Sequence, residues 1–253
     1  MTDQLEIQLF SLFLLFCRIG GCCMMAPGLS SARIPVHVRL FAALSVTAAL
    51  APLLQAEMSM AAGRVPESER PLLIVSEVLI GTAIGTMARL FFLALQFAAT
   101  AISTFIGLAG IPGVPLEEAD TGSPLATLVS TGAVMLVFTM GLHVELLRGV
   151  LDSYRVLPPG EALPVTALMT NMLSVLGESF TLALRLSAPF LAYGIIVNFA
   201  LGMGNRFAPH LSVYHATTGV VILGGFLLFY VMWVDWILVF AGSYRAWLVE
   251  GGF

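Results

Sequence analysis

No charged side chain occurs between Arg39 and Glu57, Arg89 and Glu117, Asp120 and Glu145, Arg185 and Arg206, or Arg206 and Asp235. Several of these runs reach the roughly 20 residues that an α-helix needs to cross the hydrocarbon of a bilayer. Hydrophobic residues make up 58% of the chain and charged ones 10%, with a mean hydropathy of +0.97, far from the composition of a soluble domain. The chain reads as an all-α integral membrane protein with five to seven long helices.

Apolar segments run approximately over 5–26, 38–56, 72–109, 124–151, 165–203 and 211–248. They are separated by punctuation such as Pro27-Gly28, Gly63-Arg64-Val65-Pro66 and Leu157-Pro158-Pro159-Gly160. Helical hairpins are the obvious unit, and segments longer than one crossing must tilt, bend or leave the bilayer. The most irregular stretch is 107–124, which carries Gly107, Gly110, Pro112, Gly113, Pro115, Gly122 and Pro124. Broken backbone between apolar helices leaves N–H and C=O groups unpaired. Hydrocarbon tolerates that only where protein or a water-filled cavity surrounds them, so the stretch reads as a pore or gate element.

Composition also excludes several chemistries. All eleven basic residues are arginine, so no lysine is present for a Schiff base or a phosphate-binding loop. Asp3, Glu6 and Arg18 make the first segment unlike a cleaved signal. Cys17, Cys22 and Cys23 lack metal-site or redox spacing and read as small apolar filler. No cofactor or metal site is expected: His210 and His215 face different directions on a helix, and Glu117, Glu118 and Asp120 lack a calcium register. A net charge of −4 without a basic patch argues against nucleic acid. No nucleophile elbow or acid–base carboxylate pair suggests an enzyme. Glu145 and Arg148 stand at local ion-pair spacing.

Two long segments carry polar seams. Helical rotation places Glu77, Gly81, Gly85, Arg89, Gln96, Ser103 and Gly107 within an arc of about 120°. Gly81 and Gly85 form a GxxxG step that lets a second backbone come close, either within the chain or between subunits. In segment 165–203, Asn171, Ser174, Glu178, Thr181 and Arg185 gather on one side. Arg18, deep in the first segment, needs an acceptor, since a lipid-facing cation costs about 2.5–3.5 kcal/mol on insertion scales. Either the side chain snorkels towards an interface, or a carboxylate or helix-end carbonyls in an assembly receive it.

Taken in order, these landmarks resemble the FliR/SctT family of flagellar and type III secretion export-gate proteins, over almost the whole chain. The resemblance rests on Arg18 followed by Pro27; Ile34-Pro35 with Arg39; Pro52 ending a helix; Leu79-Ile80-Gly81 with Gly85; Gln96; the Gly/Pro loop; and Leu157-Pro158 with Gly160. Its most specific block is Asn198 through Leu201-Gly202, Asn205-Arg206 and Ala208-Pro209-His210-Leu211. A glutamine commonly follows that proline in the family, where this chain has His210.

The resemblance implies a conduit subunit that closes a hetero-oligomeric helical ring with FliP-like and FliQ-like subunits beside an FlhB-like one. It implies a place in the bacterial inner membrane at the flagellar basal body. Residues 1–164, including the loop 107–124, would be the FliP-like portion, and 165–253 a FliQ-like hairpin. Gly110, Ile111, Pro112, Gly113, Val114, Pro115 and Leu116 would plug the path of unfolded export substrates. Arg18, Glu77, Gly81, Gly85, Arg89, Gln96, Glu178, Arg185, Asn205 and Arg206 would serve assembly contacts. A secondary transporter or channel with a broken helix at its substrate site is the alternative; it predicts paired breaks in two related halves, and the sequence has one conspicuous break.

Overall fold

A computed structural model describes residues 2–31, 34–108, 124–160, 164–207 and 213–249. All regular structure among them is helical. The helices are α1 (Thr2–Met25), α2 (Val36–Arg64), α3 (Arg70–Phe105), α4 (Pro124–Thr139), α5 (Leu142–Val156), α6 (Val165–Phe207) and α7 (Val213–Val249), with one 3₁₀ turn at Glu67–Glu69. Among the described residues five helical stretches are long and apolar enough to cross a membrane: Gln4–Met25, Val36–Gln55, Glu67–Phe105, Val165–Phe207 and Thr217–Val249.

Two boundaries depart from the sequence reading. The apolar segment 124–151 is two helices, because Gly141 adopts a left-handed φ of 72° at the N-cap of α5, a conformation glycine takes without a Cβ clash. Pro52 lies inside α2 instead of ending a helix. A proline removes one N–H donor, which neighbouring groups can offset in apolar surroundings. Elsewhere proline acts as a starter: Pro124 opens α4 and Pro71 sits in the first turn of α3, where the missing N–H would have had no intrahelical partner.

The chain forms two compact units, each drawing on segments from both sides of residue 165. One comprises Met1–Leu90, Met140–Leu176 and Ala246–Phe253. Its core joins Leu14, Leu15 and Ile19 of α1 to Ala51, Leu54 and Met58 of α2, Ile80 and Ile84 of α3, and Val150 and Tyr154 of α5. Glu6 meets Arg70, Arg18 meets Gly81 and Cys22 meets Gly85. The pairs advance together, so α1 and α3 run parallel.

The other unit comprises Phe91–Thr139 and Gly177–Arg245. Here α6 and α7 run antiparallel, tied by Tyr193, whose hydroxyl donates to the Val221 carbonyl at 2.6 Å, and by Trp236, whose Nε1 donates to the Leu186 carbonyl at 3.3 Å. Phe92 packs edge-on against Phe240 and Tyr244, with ring centroids 5.5 and 5.8 Å apart. Phe229 lies against Phe190, Trp233 and Trp236. Such rings combine large apolar area with preferred edge geometry.

Candidate functional site

The first unit is built around a charge. Arg18 and Glu77 are 0% and 1% exposed. The guanidinium donates through Nε to Oε2 at 2.6 Å and through Nη2 to Oε1 at 2.9 Å, the parallel two-bond geometry that suits arginine to a carboxylate. Nη1 donates to the Ser153 hydroxyl at 3.2 Å and Nη2 to the Leu157 carbonyl at 3.0 Å. The guanidinium carbon also lies 4.0 Å from the centroid of the Tyr154 ring, a cation–π contact.

Each helix supplies its part for a local reason. Leu157 caps the C-terminus of α5, with its own N–H bonded to the Ser153 carbonyl at 2.8 Å, and the last carbonyls of a helix lack intrahelical donors. A cation is favoured at that end of the dipole. Ser153 in turn donates to the Val150 carbonyl at 2.6 Å, which leaves its oxygen free to accept from Arg18. The carboxylate and helix-end carbonyl expected for Arg18 from an assembly are instead both supplied by its own chain.

Backbone contact makes the pairing possible. A Cβ at Gly81 would collide with the Arg18 carbonyl oxygen, and one at Gly85 would come within 2.6 Å of the Cys22 carbonyl. A Cβ at Gly21 on the facing helix would come within 2.9 Å of the Val78 carbonyl oxygen. The GxxxG step therefore serves α1 of the same chain. Cys17, Cys22 and Cys23 are free and buried around this crossing, as packing residues.

The remaining predicted residues lie elsewhere. Arg89 and Gln96, in the middle of the expected stripe of α3, are exposed, whereas Glu77, Gly81 and Gly85 before them and Ser103 after them are buried. Glu178 and Arg185 are exposed on α6, and Asn205 and Arg206 are exposed in its last turn. Arg148 pairs with Glu145 at 2.8 Å, as their spacing suggests. Gly110, Ile111, Pro112, Gly113, Val114, Pro115 and Leu116 lie outside the described residues, as do His210 and the acidic trio 117–120. Sequence reasoning missed Ser153, Tyr154 and the Leu157 carbonyl; the one available signal was that Leu157-Pro158 had to end a helix, exposing acceptors there.

Residues 9–246 match the family described as bacterial export proteins, family 1. The flagellar biosynthetic protein FliR of Caulobacter vibrioides is 31% identical over 222 residues, 86% of each chain. FliR of Escherichia coli is 31% identical over 206 residues, 78% of this chain and 74% of its own. The Yop proteins translocation protein T of Yersinia pestis is 27% identical over 149 residues, 56% of each. With its membrane-spanning helices, this is an integral protein of the bacterial inner membrane and a component of a flagellar or type III export apparatus. The chain belongs to the FliR/SctT family of bacterial export proteins.

Proposed function

We propose that this protein is a core subunit of the export gate, forming part of the channel for unfolded substrates and contributing residues 110–116 as the plug that closes it. The observation that carries the reading is the family match along 9–246, which includes the Gly/Pro loop. FliP-like, FliQ-like and FlhB-like subunits are its neighbours, with 1–164 as the FliP-like portion and 165–253 as the FliQ-like hairpin. In that assembly Arg18, Glu77, Gly81 and Gly85 act indirectly, by holding α1 and α3 in register. Arg89, Gln96, Glu178, Arg185, Asn205 and Arg206 are exposed and meet other subunits directly.

An apolar constriction blocks ions by excluding water, so Ile111, Val114 and Leu116 suit a closed gate. Glycines in the loop allow the backbone to rearrange, and prolines limit its disorder. The test is deletion of the gene followed by complementation, scoring secretion of an unfolded export substrate and co-purification of the tagged chain with the other gate subunits. Normal secretion without the chain, or a solitary protein with its own solute flux, would favour the transporter reading.

A further inference from the structure

Within the second unit, the last turn of α3 is seated in the α6–α7 hairpin. Ile106 is 0% exposed, and its N–H still bonds the Ile102 carbonyl at 2.9 Å. One residue later Gly107 takes a left-handed φ of 81°, the usual way for glycine to end a helix. The chain therefore leaves α3 directly from a buried contact. That contact is a slot made by absent side chains. A Cβ at Gly225 of α7 would overlap the Ile106 side chain, 2.5 Å from its Cβ, and one at Gly194 of α6 would come within 3.3 Å of the Phe105 carbonyl oxygen. Both glycines are buried. Tyr193, next to Gly194, bonds the Val221 carbonyl one turn before Gly225, and a Cβ at Gly224 would come within 2.6 Å of that tyrosine hydroxyl. The hairpin is thus tied to itself at the level where it receives Ile106.

Resting on the reading of residues 110–116 as the plug, we propose that Ile106 is the positioning residue of the gate. Seated between Gly194 and Gly225, it fixes where the chain leaves α3, and a shift of the α6–α7 hairpin reaches the plug by carrying Ile106 along or expelling it.

The kind of contact is what makes it a coupling. Further back on α3, Phe92 meets Phe240 and Tyr244 ring against ring, and side chains on both helices can adjust to a small displacement. At Ile106 a side chain meets a position on α7 that has none, so no rotamer of the partner can absorb a shift. Close-packed contacts of this sort switch between seated and unseated instead of deforming continuously. The hairpin also has a place to bend: Pro189 lies inside α6 five residues before Gly194, and its missing N–H leaves the Arg185 carbonyl without a helical donor.

The test uses the full-length chain in its assembled export complex, reconstituted in liposomes. Ile106→Gly removes the wedge without a clash, and Gly225→Ala pushes it out. Each should raise ion conductance several-fold over the parent complex while recovery of the complex on native gels stays the same. The exchange I106G/G225A should bring conductance back near the parent value: the added methyl then meets residue 106 only at its Cα, 3.5 Å away, and takes up space that the lost side chain leaves. Two leaky single variants whose combination is tight show a coupling that general loosening of the fold does not produce. Background conductance of either single variant in normally recovered complexes, loss of the complex with Ile106→Gly, or an exchange as leaky as the single variants overturns the proposal. If a chain shortened at 110–116 also stays at background, the plug reading fails with it; if that chain leaks and Ile106→Gly does not, only the positioning role fails.

Discussion

Arg18 on α1 grips Glu77 on α3 with two hydrogen bonds of 2.6 and 2.9 Å in a position closed to solvent. Directly beneath, Gly81 lets the backbone of α3 touch the Arg18 carbonyl. The ion pair and the glycine are one device: the close approach sets the distance at which the side chains meet, and the pair fixes the register of two parallel helices.

Removing one partner should cost far more than removing both. Arg18→Ala or Glu77→Ala leaves an uncompensated buried charge, for which about 3–5 kcal/mol of destabilisation is expected. The double replacement R18M/E77L should recover much of that loss, because apolar side chains of similar volume avoid desolvating two ions. Thermal unfolding of the purified chain in detergent measures both, and a double variant as unstable as the worse single one would contradict the account.

Arg18→Lys should behave as a partial loss. An ammonium keeps the charge but cannot bond Glu77 through two parallel donors while also reaching Ser153 and the Leu157 carbonyl. Limited proteolysis should find α5 released before α1 and α3 separate. Wild-type protection of α5 in this variant would show that the fork geometry is dispensable.

Gly81→Ala should destabilise by about 1–3 kcal/mol, since the added methyl meets backbone that cannot yield cheaply. Gly132→Ala is the control: a Cβ there meets nothing within 4 Å, so a change within about 1 kcal/mol is expected. Equal effects at the two sites would mean that the helix crossing is looser than described.

Gly141→Ala forces a side chain into a left-handed backbone, at a cost of about 1–2 kcal/mol. If the break between α4 and α5 persists, only stability falls. Should the helices merge instead, α5 would turn and carry Ser153 and Leu157 away from Arg18. Limited proteolysis of Gly141→Ala beside the parent chain separates the two outcomes: α5 stays protected in the first and is released in the second.

Shortening 110–116 should make membranes holding the assembled gate leaky to small ions, and I111S/V114S should do so more weakly, because a wetted constriction loses its barrier before its shape. Conductance of reconstituted complexes is the measurement. Background conductance with normal assembly would reduce the loop to a connection.

The membrane class, the long helices and the demand of Arg18 for an acceptor were legible from the residues alone, because each follows from a local quantity: run length, periodicity, or the cost of one charge in hydrocarbon. The family could be read as well, since its landmarks are ordered along the chain. Which acceptor Arg18 would find was not legible. Glu77, Ser153 and Leu157 lie 59, 135 and 139 residues away, and no local pattern records a contact made across three helices. The GxxxG step announced a close approach without naming its partner, because two small residues suit any backbone; tertiary packing chose α1. The same packing divided the polar stripe of α3, turning Glu77 inward and leaving Arg89 exposed. A periodicity can define a face of a helix, but what covers that face is set by where the other helices lie.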